Sequence, residues 1–249
     1  MAPLLPLTIV VPARNEADRI VDFLTAHRWA AELLVVDNGS TDDTAAVAAS
    51  AGARVISCVD GTIADARNTG ADAASYPWVL ALDVDERAEP ALVEELTQLL
   101  PTPRADAYFI RRRHLYHGRE QRRGSLRPDL VLRLYRRSMR FAPRKVHEVL
   151  HASGVIGTLT GTLLHDPYRD RQHYLEKMER YARWGAEELH ARGRRASLFD
   201  RLGRPFWRLF RSYVLMGGFR DGAVGWELAR LEALGVKRKY QLLAQMGKK

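Results

Sequence analysis

Trp78-Val79-Leu80-Ala81-Leu82 runs five apolar residues straight into Asp83-Val84-Asp85-Glu86. A short run that is apolar throughout, with no polar alternation, suits a strand buried on both faces of a mainly parallel sheet. Along an extended segment, Asp83 and Asp85 would share one side. Two carboxylates so placed are costly unless positive charge lies between them. A divalent hard cation with oxygen ligands meets that need and can bridge to a diphosphate. Taken alone, an Asp-x-Asp pair fits a loop or a helix cap equally well.

Three similar runs precede it, at residues 7–12, 32–37 and 54–59. Helical patterns lie between and after them, over 16–26, 41–51, 62–74 and 90–100, with Ser40 or Thr41 placed to cap the second and Pro90 in the first turn of the last. Strand and helix in alternation predict a doubly wound α/β sheet. Ligands of such sheets bind beyond the carboxyl ends of the strands. The polar residues gather at those ends: Asn15 and Glu16, Asp37, then Asp83 and Asp85. Residues 107–113 and 130–135 read as two further strands, and 116–128 as a mobile Arg-rich loop. From about Asp170 the chain reads as basic, aromatic-rich helices.

Charge divides the chain unevenly. Residues 1–106 hold 7 Lys and Arg against 17 Asp and Glu, and residues 107–249 hold 32 against 13. The basic half should meet something anionic: a phosphorylated substrate, anionic lipid or nucleic acid. No stretch approaches the roughly 18 apolar residues that a membrane span needs. The apolar start lacks a basic n-region and is not read as a signal peptide. The single cysteine, Cys58, excludes an internal disulfide and is expected as a buried small hydrophobe in a reducing cytoplasm.

Three other motifs carry chemistry. In Val35-Val36-Asp37-Asn38-Gly39-Ser40-Thr41-Asp42-Asp43-Thr44, Gly39 permits the turn from strand to helix, and Asp37 can accept hydrogen bonds from a nucleobase or ribose. Asp42 and Asp43 fit the bland role of complementing the helix N-terminus. In Pro12-Ala13-Arg14-Asn15-Glu16, Glu16 can bond a nucleoside or simply favour the first helical turn. In Ala66-Arg67-Asn68-Thr69-Gly70, Arg67 is a fork suited to a phosphate or to orienting a carboxylate.

In this order, the motifs resemble the family 2 glycosyltransferases over roughly residues 7–168. The resemblance implies a GT-A fold, a nucleotide-diphosphate sugar donor, a Mg²⁺ or Mn²⁺ ion, and inversion by a single displacement. It implies that Pro12, Ala13, Glu16 and Asp37 line the nucleoside pocket, that Arg67 and Asp83 lie near the nucleotide, and that Asp85 contacts the metal. Arg133-Leu134-Tyr135-Arg136-Arg137, Phe141, Val146-His147-Glu148 and Leu164-His165 resemble the WaaE/KdtX-like lipopolysaccharide-core β-1,4-glucosyltransferases. Glu148 is then the expected base that takes the acceptor proton. His147 and Arg133 are expected on acceptor or phosphate, and His165 on the metal or the leaving phosphate. Departures are small: Asn38 and Val84 stand where relatives commonly carry a small residue and Ala.

The implied organisation is a catalytic domain over 1–168, divided at residue 106 into nucleotide-sugar and acceptor halves, and a helical extension over 169–249. The amphipathic stretch from Asp200 to Phe219 suits packing or an anionic membrane interface. The implied acceptor is a lipopolysaccharide core or another lipid-linked glycan at the inner face of the cytoplasmic membrane, and the implied donor is UDP-glucose, with ADP-heptose and UDP-galactose as alternatives. A polyprenyl-phosphate glycosyltransferase is the rival within the class, and it often carries membrane spans. A nucleic-acid-binding role for the basic half is disfavoured, because no reader motif is present and the acidic cluster repels phosphodiesters. A nucleotidyltransferase would want glycines after the first strand, where Pro12–Glu16 has none.

Overall fold

The computed structural model describes residues 3–59, 61–142 and 149–247. It divides into two compact units, one of Met1–Arg112 with Asp129–His165, the other of Arg113–Pro128 with Asp166–Lys249.

The first unit opens with β1 (Leu5–Ala13), α1 (Ile20–Ala26), β2 (Ala30–Asp37), α2 (Thr44–Ser50), β3 (Arg54–Ser57), α3 (Ile63–Ala73) and β4 (Trp78–Ala81). Then come β5 (Glu86–Ala88), α4 (Pro90–Leu99), β6 (Ala107–Tyr116), β8 (Asp129–Arg136), β9 (Arg140–Phe141), β10 (Leu150–His151) and β11 (Ile156–His165), while the end of β6 from Arg113 and β7 (Arg119–Gln121) belong to the second unit. The main sheet runs β3-β2-β1-β4-β8-β6-β11-β5, with β7 paired to β6. β1 lies parallel to β2 and β4, and β2 parallel to β3. β8 joins β4 antiparallel. The four apolar runs thus form the parallel half, as expected.

Period-2 alternation on β1 builds the core on both faces. Leu7, Ile9 and Val11 pack with Phe23 and Leu24 of α1, Ala48 of α2 and Leu92 and Leu96 of α4. Val10 faces the opposite layer with Ala64, Ala66 and Ala71 of α3, together with Tyr135 and Phe141. A Cβ at Gly70 would stand 2.2 Å from Val10 Cγ1, and one at Gly161 only 2.4 Å from Leu92 Cα. Glycine at these two places lets α3 and α4 approach the sheet.

The local physics departs from expectation at several places. α1 starts at Ile20, not Glu16, because the intervening residues turn, with Arg19 and Ile20 N–H both donating to Glu16 O. Neither Ser40 nor Thr41 caps α2; Asp43 holds that position, and Asp42 Oδ1 accepts from Thr44 N at 3.1 Å. Cys58 is half-buried. Residues 116–128 are not a mere loop: β7 and a 3₁₀ turn at Gly124–Leu126 occupy them. Backbone bonds from Gly124 N to Met216 O and from Arg123 N to Asp221 Oδ2 order this stretch.

His27, fully buried, fastens the end of α1. Its Nδ1 lies 2.8 Å from Phe23 O, and its Nε2 accepts from Ala88 N at 3.2 Å. That pair of bonds requires the neutral imidazole with the proton on Nδ1. Burial, only partly opposed by the Phe23 carbonyl and assisted by Arg87, lowers its pKa from 6.5 to about 4. The unfolded chain therefore binds this proton first. The contribution is complete above pH 6.5 and is lost as pH falls toward 4, on the order of 3 kcal/mol in all. Urea midpoints measured from pH 7 to pH 4 should fall accordingly, and His27→Gln should flatten that part of the profile; an unchanged slope would exclude His27 as its source.

The second unit packs α5 (Arg171–Ala191), α6 (Leu198–Phe210) and α7 (Gly222–Met246). Asp170 caps α5, accepting from His173 N at 2.7 Å. Ser197 and Asp200 form a reciprocal capping box at α6. A π-helical turn, Arg211–Leu215, follows α6, and Gly217 and Gly222 bracket the reversal into α7 with φ of 73° and 65°. Glycine is needed there because that left-handed backbone penalises a Cβ. No helix among the described residues is long and apolar enough to cross a membrane.

Candidate active site

The carboxyl ends of β1, β2 and β4 form one rim of the first unit, and their loops are tied to one another. Asn15 adopts φ 57°, a conformation asparagine tolerates better than most residues. Its Oδ1 accepts from Thr41 N at 2.8 Å, while its own N–H donates to Ser40 Oγ at 3.1 Å. Glu16 N donates to Thr44 Oγ1 at 2.8 Å, and Ala17 N to Asp42 Oδ2 at 3.3 Å. Ala13 O accepts from Asn38 N, and Asp37 O from Cys58 N. Pro12 and Ala13 end β1, and Asp37 ends β2 opposite Ala13. The Asp37 carboxylate accepts from Ser40 N at 3.3 Å. Pro12, Ala13, Glu16 and Asp37 therefore share this rim.

Asp83 to Glu86 is a turn, not the extended segment expected, with Glu86 N donating to Asp83 O at 2.9 Å. Asp83 accepts from Arg67 Nη2 on one oxygen and from Arg133 Nη2 on the other, each at 2.6 Å. The same Arg133 nitrogen reaches Glu86 Oε1 at 2.9 Å. Glu86 is fully buried, and it also accepts from Arg112 Nη1 at 2.9 Å and from Asp83 N at 3.0 Å. Arg112 in turn grips both oxygens of Asp129. Three guanidinium groups and three carboxylates thus form one connected cluster. Burial alone would raise the Asp83 pKa, but the charges of Arg133 and Arg67 and their hydrogen bonds outweigh it and hold the carboxyl far below its ordinary range. Burial likewise opposes the charge of Arg133, yet Asp83 and Glu86 raise its pKa. Much of the positive charge that the acidic motif demands is therefore supplied by arginines.

Asp85 points to a different partner. His165 Nε2 lies 3.4 Å from Asp85 Oδ1. The antiparallel pairing of β11 with β5 sets His165 opposite Glu86 and so beside this turn. Arg87 Nη1 donates to Val84 O and Glu86 O and fixes the turn from below, its guanidinium stacked 5.3 Å from the Phe23 ring centre. Among the described residues, no three His, Cys, Asp or Glu side chains converge on one cation position. The Asp85 carboxylate facing the His165 imidazole is a donor pair that can hold a divalent cation whose remaining oxygens come from a diphosphate.

Arg67, expected from sequence either at a phosphate or on a helix surface, is buried, with its guanidinium 5.2 Å from the Phe141 ring centre. Arg133, expected on acceptor or phosphate, is buried within the carboxylate cluster. Glu148 and His147 lie outside the described residues. The flanking strands are anchored: Ala142 N bonds Val149 O, and Leu150 pairs with Phe141. Asn68 clamps Phe141 with two bonds, Nδ2 to Phe141 O at 3.0 Å and Phe141 N to Oδ1 at 2.8 Å. Sequence reasoning assigned no role to Glu86 or Asn68. The first follows directly on the Asp83-Val84-Asp85 motif, and the last directly on Arg67.

The family model described as glycosyl transferase family 2 matches residues 8–160. The chain belongs to glycosyl transferase family 2. It is a glycosyltransferase enzyme, and its mixed sheet, parallel over β1–β4 and antiparallel beyond, with flanking helices is the GT-A fold. This glycosyltransferase is 29% identical to the lipopolysaccharide core biosynthesis glycosyltransferase LpsC of Rhizobium meliloti, over 98% of this chain and 97% of that one. It is 23% identical to the uncharacterized glycosyltransferase RT0209 of Rickettsia typhi, over 94% and 89%. Among solved structures it resembles glucosyl-3-phosphoglycerate synthase from Mycobacterium tuberculosis, in complex with Mn²⁺, UDP and glucosyl-3-phosphoglycerate, at 28% identity and a TM-score of 0.36, covering 45% of this chain and 44% of that one. The chain spans under half the length of the solved structures it matches.

Proposed function

We propose that this enzyme moves a hexose, with inversion, from a nucleotide-diphosphate sugar to a lipopolysaccharide-core or other lipid-linked glycan acceptor, with UDP-glucose as the donor. The observation that carries this reading is the division of labour in the acidic turn. Arg67 and Arg133 lock Asp83, and Asp85 faces His165 beside the cross-tied rim. Likeness to LpsC supports the acceptor class.

In this reading the nucleoside sits against Pro12, Ala13, Glu16 and Asp37. Asp85 and His165 hold Mg²⁺ or Mn²⁺, which supplies charge neutralisation for the diphosphate. Asp83 touches the nucleotide or its ribose in an orientation set by its two arginines. Arg133 acts through Asp83 and Glu86 as a positioning residue. Glu148 takes the proton of the acceptor hydroxyl as its oxygen bonds to the anomeric carbon. The bond from that carbon to the diphosphate oxygen breaks, and the nucleoside diphosphate leaves with the electron pair. His147 orients the acceptor.

A panel of nucleotide sugars with released nucleotide as readout identifies the donor. Glu148→Gln should retain stabilisation by the nucleotide and lose transfer by about 10³-fold, the scale of a missing general base. Undiminished turnover would remove Glu148 from that role.

A further inference from the structure

The helix α6 is turned inside out relative to an ordinary amphipathic helix of a soluble protein. Its polar side faces inward. Asp200 is buried and takes Arg204, and Arg208 Nε meets Glu232 of α7 at 3.1 Å. Its apolar side faces out: Leu198 is 70% exposed, Phe199 68%, Leu202 63% and Phe206 70%. With Phe210, these positions recur at one to four residues and form a single stripe along a 3.6-residue helix. Val214 and Leu215 within the π-helical turn, and Phe219 after it, are exposed as well. Soluble proteins seldom leave so large a contiguous apolar patch uncovered unless it has a partner.

The surroundings of the stripe say what that partner is. Residues 192–220 contain eight arginines and one acidic residue, Asp200. Arg194, Arg195, Arg201, Arg211 and Arg220 are exposed. An apolar, aromatic stripe rimmed by arginine matches the boundary between headgroups and acyl chains of an anionic bilayer. A second copy of this chain fits poorly, since a two-fold contact would set the same arginine rims against each other. Thirteen residues of helix span about 20 Å, short of the roughly 30 Å hydrocarbon core, so α6 lies along the surface.

We propose that Leu198–Leu215 docks this enzyme on an anionic phospholipid surface, with Phe199, Leu202 and Phe206 below the headgroups and Arg195, Arg201 and Arg211 among the phosphates. This deepens the proposed function, resting on it only for the lipid-linked acceptor that the surface would present. Its test reads vesicle binding and not transfer, so each can fail alone.

The full chain is floated with vesicles of phosphatidylglycerol and phosphatidylethanolamine, and separately with phosphatidylcholine alone. It should co-float with the former, release in high salt, and bind the latter at least about tenfold more weakly. Phe199→Ser with Phe206→Ser, and separately Arg195→Glu with Arg201→Glu, should each reduce flotation at least about tenfold. All four are exposed side chains, and an unchanged melting transition verifies the fold of each variant. Wild-type flotation by both double variants overturns the proposal. So does equal binding to the neutral vesicles, or vesicle-free self-association that the Phe199 and Phe206 pair abolishes.

Discussion

Asp85→Ala should reduce sugar transfer by about 10³-fold, the scale expected when a metal-dependent charge interaction at a leaving group is removed. The same variant should lose stabilisation by UDP plus Mn²⁺ while melting within a few degrees of wild type. The reason is local. The Asp85 side chain faces His165, whereas Asp83 and Glu86 take the guanidinium groups of Arg67, Arg133 and Arg112. The turn keeps its shape through Arg87 and the bond from Glu86 N to Asp83 O. Differential scanning fluorimetry with and without nucleotide, alongside nucleotide release, separates the two effects. Retention of both the metal-dependent shift and turnover would refute the role assigned to Asp85.

Asp83→Ala should fail differently, by destabilising the fold about 3–5 kcal/mol, the scale for removing one partner of a buried ion pair. It removes the carboxylate that takes both Arg67 and Arg133, each of them buried. Arg133→Met should cost less. After it, Asp83 keeps Arg67 and Glu86 keeps Arg112. Methionine also fills much of the vacated volume. Urea unfolding of the two variants at pH 7 gives the comparison; equal or reversed losses would mean that the cluster does not carry the charge balance described. Because the Asp83 pKa is depressed in the fold, its contribution is present above the unfolded value of 3.8 and fades as pH falls below it. Acid should therefore act in two stages, first through His27 between pH 6.5 and about 4, then through Asp83.

β1 to β4 were legible because strands buried on both faces leave an uninterrupted apolar signature. β11 was not. Ile156–His165 alternates imperfectly and carries Gly157 and Gly161, which lower strand propensity but admit Tyr108 and Leu92 at close range. β5, β9 and β10 are two or three residues long, too short to show a period. At the site, the acidic motif announced a need for positive charge. Charge balance alone does not say whether a cation or an arginine meets it, and Arg133 lies 50 residues from Asp83 along the chain. Glu86 looked like the tail of the motif, yet tertiary pairing of β5 with β11 makes it the buried hub. The lack of alternation that identified β4 also concealed which carboxylate would turn inward.

The stitch between Asn15 and Thr41 bears on how the proposed nucleoside pocket would fill. Two neighbouring loops are already braced against each other before any guest arrives, so the ordering entropy of that corner is spent during folding rather than at encounter. On the proposed function, a visiting nucleoside would meet a finished mould, with capture limited by diffusion and orientation instead of by waiting for the walls to close.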